Sequence, residues 1–172
     1  MIAKADAALA QADTVPPDAA DDPATVSEHL LACGGSLRQL LGIDGVRLEV
    51  LYSYGCRLFR ERKHEEARQI FFALTAIDPL SFDYTLSLGI CLQKLRRHDE
   101  AIFCLSRAVT RRLTDPRPWY LVGVSFQIEG DVGRAMASYR AAAKASKGLE
   151  EYRELHAQAL QSLAMLEQGE RE

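Results

Sequence analysis

The sequence predicts an all-α fold: three tandem helix-turn-helix repeats stacked into a curved solenoid, with an N-terminal helical segment before them and a C-terminal capping helix after. Three observations carry this prediction. RKHEEARQIF at residues 62–71 returns as RRHDEAIFCL at 96–105, with 34 residues separating His64 from His98, Glu66 from Glu100 and Ala67 from Ala101. A third copy aligns once the small residues are matched, as Gly55, Gly89 and Gly123 and then Ala67, Ala101 and Ala135. The middle of the chain is rich in Leu, Ala, Arg and Glu and lacks the alternating Val, Thr and aromatic runs of half-buried strands.

The elements follow in order. Residues 1–24, with Pro16-Pro17 and Asp21-Asp22-Pro23, read as a disordered N-terminal tail. Residues 25–47 form a helical segment in which Leu30, Leu31 and Leu37 supply an apolar face, Thr25 or Ser27 the N-cap and Gly34-Gly35 an interruption. The repeats occupy 48–147, divided as 48–81, 82–115 and 116–147. Within them, the first helix of each hairpin (helix A) falls near 48–61, 82–95 and 116–129, and the second (helix B) near 64–77, 98–111 and 132–146. The bulky positions keep the same step: Leu58, Leu92 and Phe126, then Tyr54, Leu88 and Val122, then Phe71, Leu105 and Tyr139. A period of 34 with this order of large, small and aromatic residues is the tetratricopeptide (TPR) pattern. Gly in helix A and Ala in helix B mark where two backbones approach closely, and the bulky series fills the space between hairpins. Asp78-Pro79 and Asp115-Pro116 punctuate the units, because Pro cannot continue a helix yet suits the first turn of the next. Residues 148–172 give the capping helix, with Leu149, Tyr152, Leu155, Ala159, Leu163 and Leu166 on one face, and a frayed end.

Composition narrows the function. The 172 residues carry a formal net charge of −3, which is not the footprint of a nucleic-acid binder, and 48% apolar residues, enough for a continuous core. Cys33, Cys56, Cys91 and Cys104 have neither Cys-x-x-Cys spacing nor a zinc-type grouping, so they read as reduced apolar packers in a cytosolic setting. No stretch approaches the ~20 apolar residues of a membrane span. His64 and His98 fall at inter-helix corners where the third repeat has Val132, so they read as polar corner residues and not as a metal or acid-base pair. Glu65, Glu66, Asp99 and Glu100 follow them in the first turn of helix B, where the helix dipole favours carboxylates. Without a nucleophile triad, phosphate loop or metal cluster, the sequence predicts a protein that is not an enzyme and carries no cofactor or metal.

Stacked hairpins curve, placing the A helices on a concave groove. The A-helix positions left over from packing are Tyr52, Cys56 and Phe59, then Leu86, Ile90 and Gln93, then Tyr120, Val124 and Gln127. So apolar an open wall points to recognition of an extended apolar peptide.

Gly34-Gly35-Ser36-Leu37 followed by LLGI, LEVLYSYG at 48–55, LTAID at 74–78, LSLGICLQ at 86–93 and DPRPWY at 115–120 resemble the class II chaperones of bacterial type III secretion systems, over roughly residues 30–166. The resemblance implies a cytosolic protein that binds the hydrophobic translocator proteins before secretion, holding an extended segment with spaced Pro and Leu residues in the groove. It also implies a homodimer, when free of client, formed through the N-terminal helix and hence Leu30, Leu31 and Leu37, and in some members a partnership with a transcription regulator of the AraC type. Tyr52 matches a groove tyrosine of the family, whereas Phe59 stands where a second tyrosine is usual and keeps the ring without the hydroxyl. Leu121 and Pro118-Trp119 depart from the family pattern in the third repeat.

Two rival readings are weaker. An adaptor for acidic C-terminal tails needs a carboxylate clamp, and the corresponding positions carry Tyr52, Cys56, Ser87, Arg117 and Leu121, of which only Arg117 could serve. Arg107, Arg111 and Arg112 could form a nucleic-acid or regulator patch, but at a helix C-terminus they complement exposed carbonyls.

Overall fold

A computed structural model describes residues 42–169. The tail, most of the N-terminal helical segment with Leu30, Leu31 and Leu37, and Cys33 lie outside the described residues. Among the described residues seven α-helices follow one another: α1 (Gly45–Arg60), α2 (His64–Ile77), α3 (Phe82–Lys94), α4 (His98–Arg111), α5 (Pro116–Ile128), α6 (Val132–Ser146) and α7 (Arg153–Gly169), with a 3-10 turn at Glu150–Tyr152 before the last. Each packs against the next in the chain, and α3 also touches α5 and α5 touches α7, the contact order of a helical-hairpin solenoid. Helices α1, α3 and α5 are the A helices and α2, α4 and α6 the B helices.

The 34-residue repeat has a physical counterpart at every level. Ala67, Ala101 and Ala135 have no exposed surface. A Cβ built on Gly55 would lie 2.9 Å from a ring carbon of Phe71, on Gly89 2.6 Å from Leu105, and on Gly123 2.8 Å from Tyr139, so the close approach within each hairpin leaves room only for hydrogen. The A-to-B turns repeat as well. Arg62, Arg96 and Gly130 have φ of 63°, 63° and 79°. Just after each, the amides of Lys63, Arg97 and Asp131 donate to the carbonyls of Leu58, Leu92 and Phe126 at 3.0, 2.9 and 2.9 Å, while the left-handed residues themselves donate to Phe59, Gln93 and Gln127. This is a Schellman ending, made three times. Residues 62–64, 96–98 and 130–132, reading RKH, RRH and GDV, thus share one backbone shape, whose left-handed position is filled twice by arginine and once by glycine.

Caps set the remaining boundaries. Helix α1 begins three residues before the expected position because the Asp44 carboxylate accepts from the Val46 amide at 3.1 Å. Ser81 accepts from Tyr84 at the start of α3, and Asp115 accepts from Arg117 at 3.0 Å at the start of α5, with Pro116 in the first turn.

Two elements differ in detail from the sequence pattern. His98 stands at the expected corner but is buried there: it is 6% exposed and neither ring nitrogen has a hydrogen-bond partner, while His64 is half-buried with its ring 4.9 Å from that of Phe59. The tight Schellman turn draws the first residue of helix B beneath the end of helix A. The capping helix also starts later than the apolar spacing suggests. Gly148, at φ 78°, breaks the chain after α6, so Leu149 is 41% exposed in the connection while Ala159, Leu155, Leu163 and Leu166 face inward. Helix α7 covers Trp119, Tyr120, Ala142 and Ala143, closing the end of the stack, and Arg140 pairs with Glu167 at 2.8 Å.

Candidate functional site: the A-helix groove

On the face built by α1, α3 and α5, a cavity of about 220 Å³ opens between the first two hairpins. Cys56, Phe59 and Arg60 reach it from α1, Phe71 from α2, and Ser87 and Ile90 from α3. Helical spacing explains the set: Cys56, Phe59 and Arg60 lie three and four residues apart on one side of α1, as Ser87 and Ile90 do on α3. Phe71 enters from behind because Gly55 has no side chain to block it.

Polar clips hold the A helices together beside this cavity. The Tyr52 hydroxyl and the Ser87 hydroxyl are 3.1 Å apart, joining α1 to α3, with the Tyr52 ring against Phe71 and Tyr84 at centroid distances of 5.6 and 5.3 Å. Burial pushes the Tyr52 phenol above its usual pKa, more than the bond to Ser87 lowers it, so the group is a neutral hydroxyl. Between α3 and α5 the Gln93 amide donates to the Leu121 carbonyl and to the Ser125 hydroxyl, both at 2.7 Å. In the third hairpin the Gln127 side-chain oxygen accepts from Tyr139 at 2.7 Å.

The nine anticipated groove residues therefore separate. Cys56, Phe59 and Ile90 line the cavity, and Tyr52, half-buried, braces its wall. Tyr120 and Val124 are half-buried on α5, Tyr120 with its ring 5.5 Å from Tyr139. Gln93 and Gln127 spend their amides on neighbouring helices. Leu86 is a correction: at 5% exposed it belongs to the core, because the middle hairpin is covered by both neighbours. Arg60, Phe71 and Ser87 were not among the anticipated site residues. Arg60 could have been found from its spacing, four residues after Cys56 on the same side of the helix.

The arginines of the rival readings are engaged elsewhere. Arg117 forks onto Asp115, with Nη2 2.6 Å from Oδ2, and holds that carboxyl below its usual pKa although burial acts to raise it. Arg111 donates to the carbonyls of Arg107 and Pro79, and Arg112 lies 4.3 Å from the Phe82 ring. Among the described residues no cluster of His, Cys, Asp and Glu is placed to hold a metal ion, and no helix is long and apolar enough to cross a membrane. Chemically the cavity offers an apolar wall with a hydroxyl, a thiol and a guanidinium at its edge, which suits holding a side chain.

Comparison with known proteins places this geometry. The chain in a type III secretion complex from Aeromonas hydrophila superposes with a TM-score of 0.81 at 28% identity, covering 84% of this chain and 97% of that one. PcrH of Pseudomonas aeruginosa, bound to the chaperone binding region of PopD, superposes with a TM-score of 0.74 at 25% identity, covering 75% of this chain and 97% of PcrH. The Yersinia enterocolitica translocator chaperone SycD shares the fold, with a TM-score of 0.74 at 24% identity over 76% of this chain and 90% of SycD. The molecule has the fold of the class II translocator chaperones of type III secretion. Over 90 residues it is also 32% identical to the low calcium response locus protein H of Yersinia pestis, a stretch that is 52% of this chain and 54% of that protein. The match thus spans about half the length of the curated relatives, and no family model matches. In this chaperone fold, the anticipated all-α TPR architecture and the apolar A-helix face stand together in one molecule.

Proposed function

We propose that this protein is a bacterial cytosolic chaperone of type III secretion that binds hydrophobic translocator proteins through an extended segment laid along α1, α3 and α5. The observation that carries the reading is the open apolar cavity between α1 and α3, on a fold whose neighbour PcrH is bound to the chaperone binding regions of PopD and PopB. The role is non-catalytic. Covering an apolar segment lowers the concentration of free, aggregation-prone client by mass action, which needs no nucleotide. Burying one aliphatic or aromatic side chain in the cavity contributes about 1.5–3 kcal/mol before the costs of ordering. Self-association of the client-free protein through Leu30, Leu31 and Leu37 belongs to the same reading.

Co-expression with a hydrophobic translocator encoded beside it tests the reading. The wild type should yield a soluble complex, and the pair Phe59→Glu and Ile90→Glu should lose it while the circular dichroism of the chaperone is unchanged. A complex that survives both charges rules out the groove. Leu86 is unsuitable for this purpose, because a charge there would be buried.

A second reading has one observation in its favour. On the opposite side, Phe72 and Phe103 are 59% and 64% exposed and line a cleft of about 510 Å³ with Arg68, Arg97 and Arg107. An exposed cleft with apolar walls suits a protein partner, which in this reading is a transcription regulator of the AraC type. A Phe72→Ser, Phe103→Ser variant that abolishes activation of a secretion-gene reporter while retaining client would support it, and full activation would dismiss it.

A further inference from the structure

Arg60 sits at the edge of the cavity between α1 and α3 and is the one arginine among the residues that line it. Its Nε donates to the Cys56 carbonyl at 3.3 Å, one turn back, which holds the guanidinium beside the opening. Among the described residues it has no carboxylate partner. Other cations nearby are paired: Arg68 with Glu65, Arg97 with Glu100 and Lys63 with Glu61, while Arg57 lies over the Tyr54 ring. Glu61, the next residue along, is held by Lys63 at 2.8 Å. The rim is therefore an apolar hole bordered by an exposed cation at the C-terminal end of a helix.

We infer that Arg60 is a specificity-determining residue, pairing with a carboxylate carried by the guest segment within two residues of the side chain that fills the cavity. The inference rests on the groove reading above and adds the charge pattern of the guest. An extended segment advances about 3.3 Å per residue, so a Glu or Asp one or two positions from the buried side chain lies within roughly 7 Å of it, within reach of a long guanidinium. Pairing there costs the protein little. The guanidinium is already tethered, so less side-chain freedom is lost than for a free lysine. A guest with a basic residue at the same place would be disfavoured, which sorts apolar segments that the hole alone cannot distinguish.

The test uses the full-length protein and short fluorescein-labelled peptides of Gly, Ser and Pro with a single Leu, in which Glu or Gln is placed at each of the two positions on either side. Fluorescence polarisation at low salt should show one position where Glu binds at least threefold tighter than Gln, with the preference shrinking as salt is raised. Arg60→Gln should bring the Glu and Gln peptides to equal affinity, whatever that affinity is, and Arg60→Lys should keep part of the preference. Equal affinities for Glu and Gln peptides at every position, with binding intact, overturn this inference alone. A preference that persists in Arg60→Gln does the same. Failure of every peptide to bind the wild type overturns the groove reading and this inference together.

Discussion

Substituting Gly89 by alanine tests the close approach that defines each hairpin. The added Cβ would lie 2.6 Å from both Cγ and Cδ2 of Leu105, a side chain with no exposed surface. Carbon atoms pack best at about 3.5–4.0 Å, so Leu105 has to retreat by roughly 1 Å into a filled core. Overpacking of this kind costs about 1–3 kcal/mol. Against it stands the gain of about 1 kcal/mol from replacing glycine by alanine inside a helix. Gly89→Ala should therefore be neutral to destabilising by about 2 kcal/mol in urea unfolding followed by circular dichroism, read as a lower midpoint at constant slope. The decisive arm is Leu105→Ala, which alone costs about 2–5 kcal/mol. Once the leucine is gone the clash is gone, and Gly89→Ala in that background should stabilise by about 1 kcal/mol. Gly133, whose Cβ would meet only an Asp131 oxygen at 4.0 Å, is the control, and its alanine variant should gain about 0.5 kcal/mol. Stabilisation by Gly89→Ala with Leu105 present would refute the packing argument.

Other outcomes follow from the turns and from buried ionisable groups. Because Arg62 and Arg96 hold a left-handed conformation that costs a side-chain-bearing residue about 1 kcal/mol, Arg96→Gly should raise the urea midpoint slightly, and Gly130→Ala should lower stability by about 1 kcal/mol. Burial, with the neighbouring Cys56 adding to it, pushes the Cys91 thiol up to about 12, whereas in the unfolded chain it ionises near ~8.5. The folded pKa is the higher one, so this stability is fully present below the unfolded value and is lost as pH rises between them, reaching about 2 kcal/mol by pH ~10. Cys91→Ala should flatten that alkaline limb, and unchanged alkaline sensitivity would dismiss Cys91 as its source.

Periodicity made the helices legible because the same backbone problem recurs at fixed distance. Gly55, Gly89 and Gly123 face Phe71, Leu105 and Tyr139, and both series stand in the sequence as identical steps. Partial burial was harder to read. Leu86 and Ile90 lie one helical turn apart on α3, yet Leu86 is core and Ile90 lines a cavity, a difference set by neighbouring hairpins rather than by residue type. Ser87 and Ser125 carried no signal of their own, since a small hydroxyl becomes a clip only when Tyr52 or Gln93 arrives from another helix. Leu149 keeps the apolar spacing of the capping face, yet it lies in the connection after Gly148 and before the helix begins, a boundary that the spacing alone does not mark.

The clips across the A helices have a mechanical consequence. With Tyr52 tied to Ser87 and Gln93 to Ser125, the spacing of the inner wall is locked before anything docks. Under the proposed groove reading, a segment entering there gives up its own freedom, since these clips leave the wall less to lose. Stiff guests, such as those rich in proline, start with less to lose and are favoured on that ground alone.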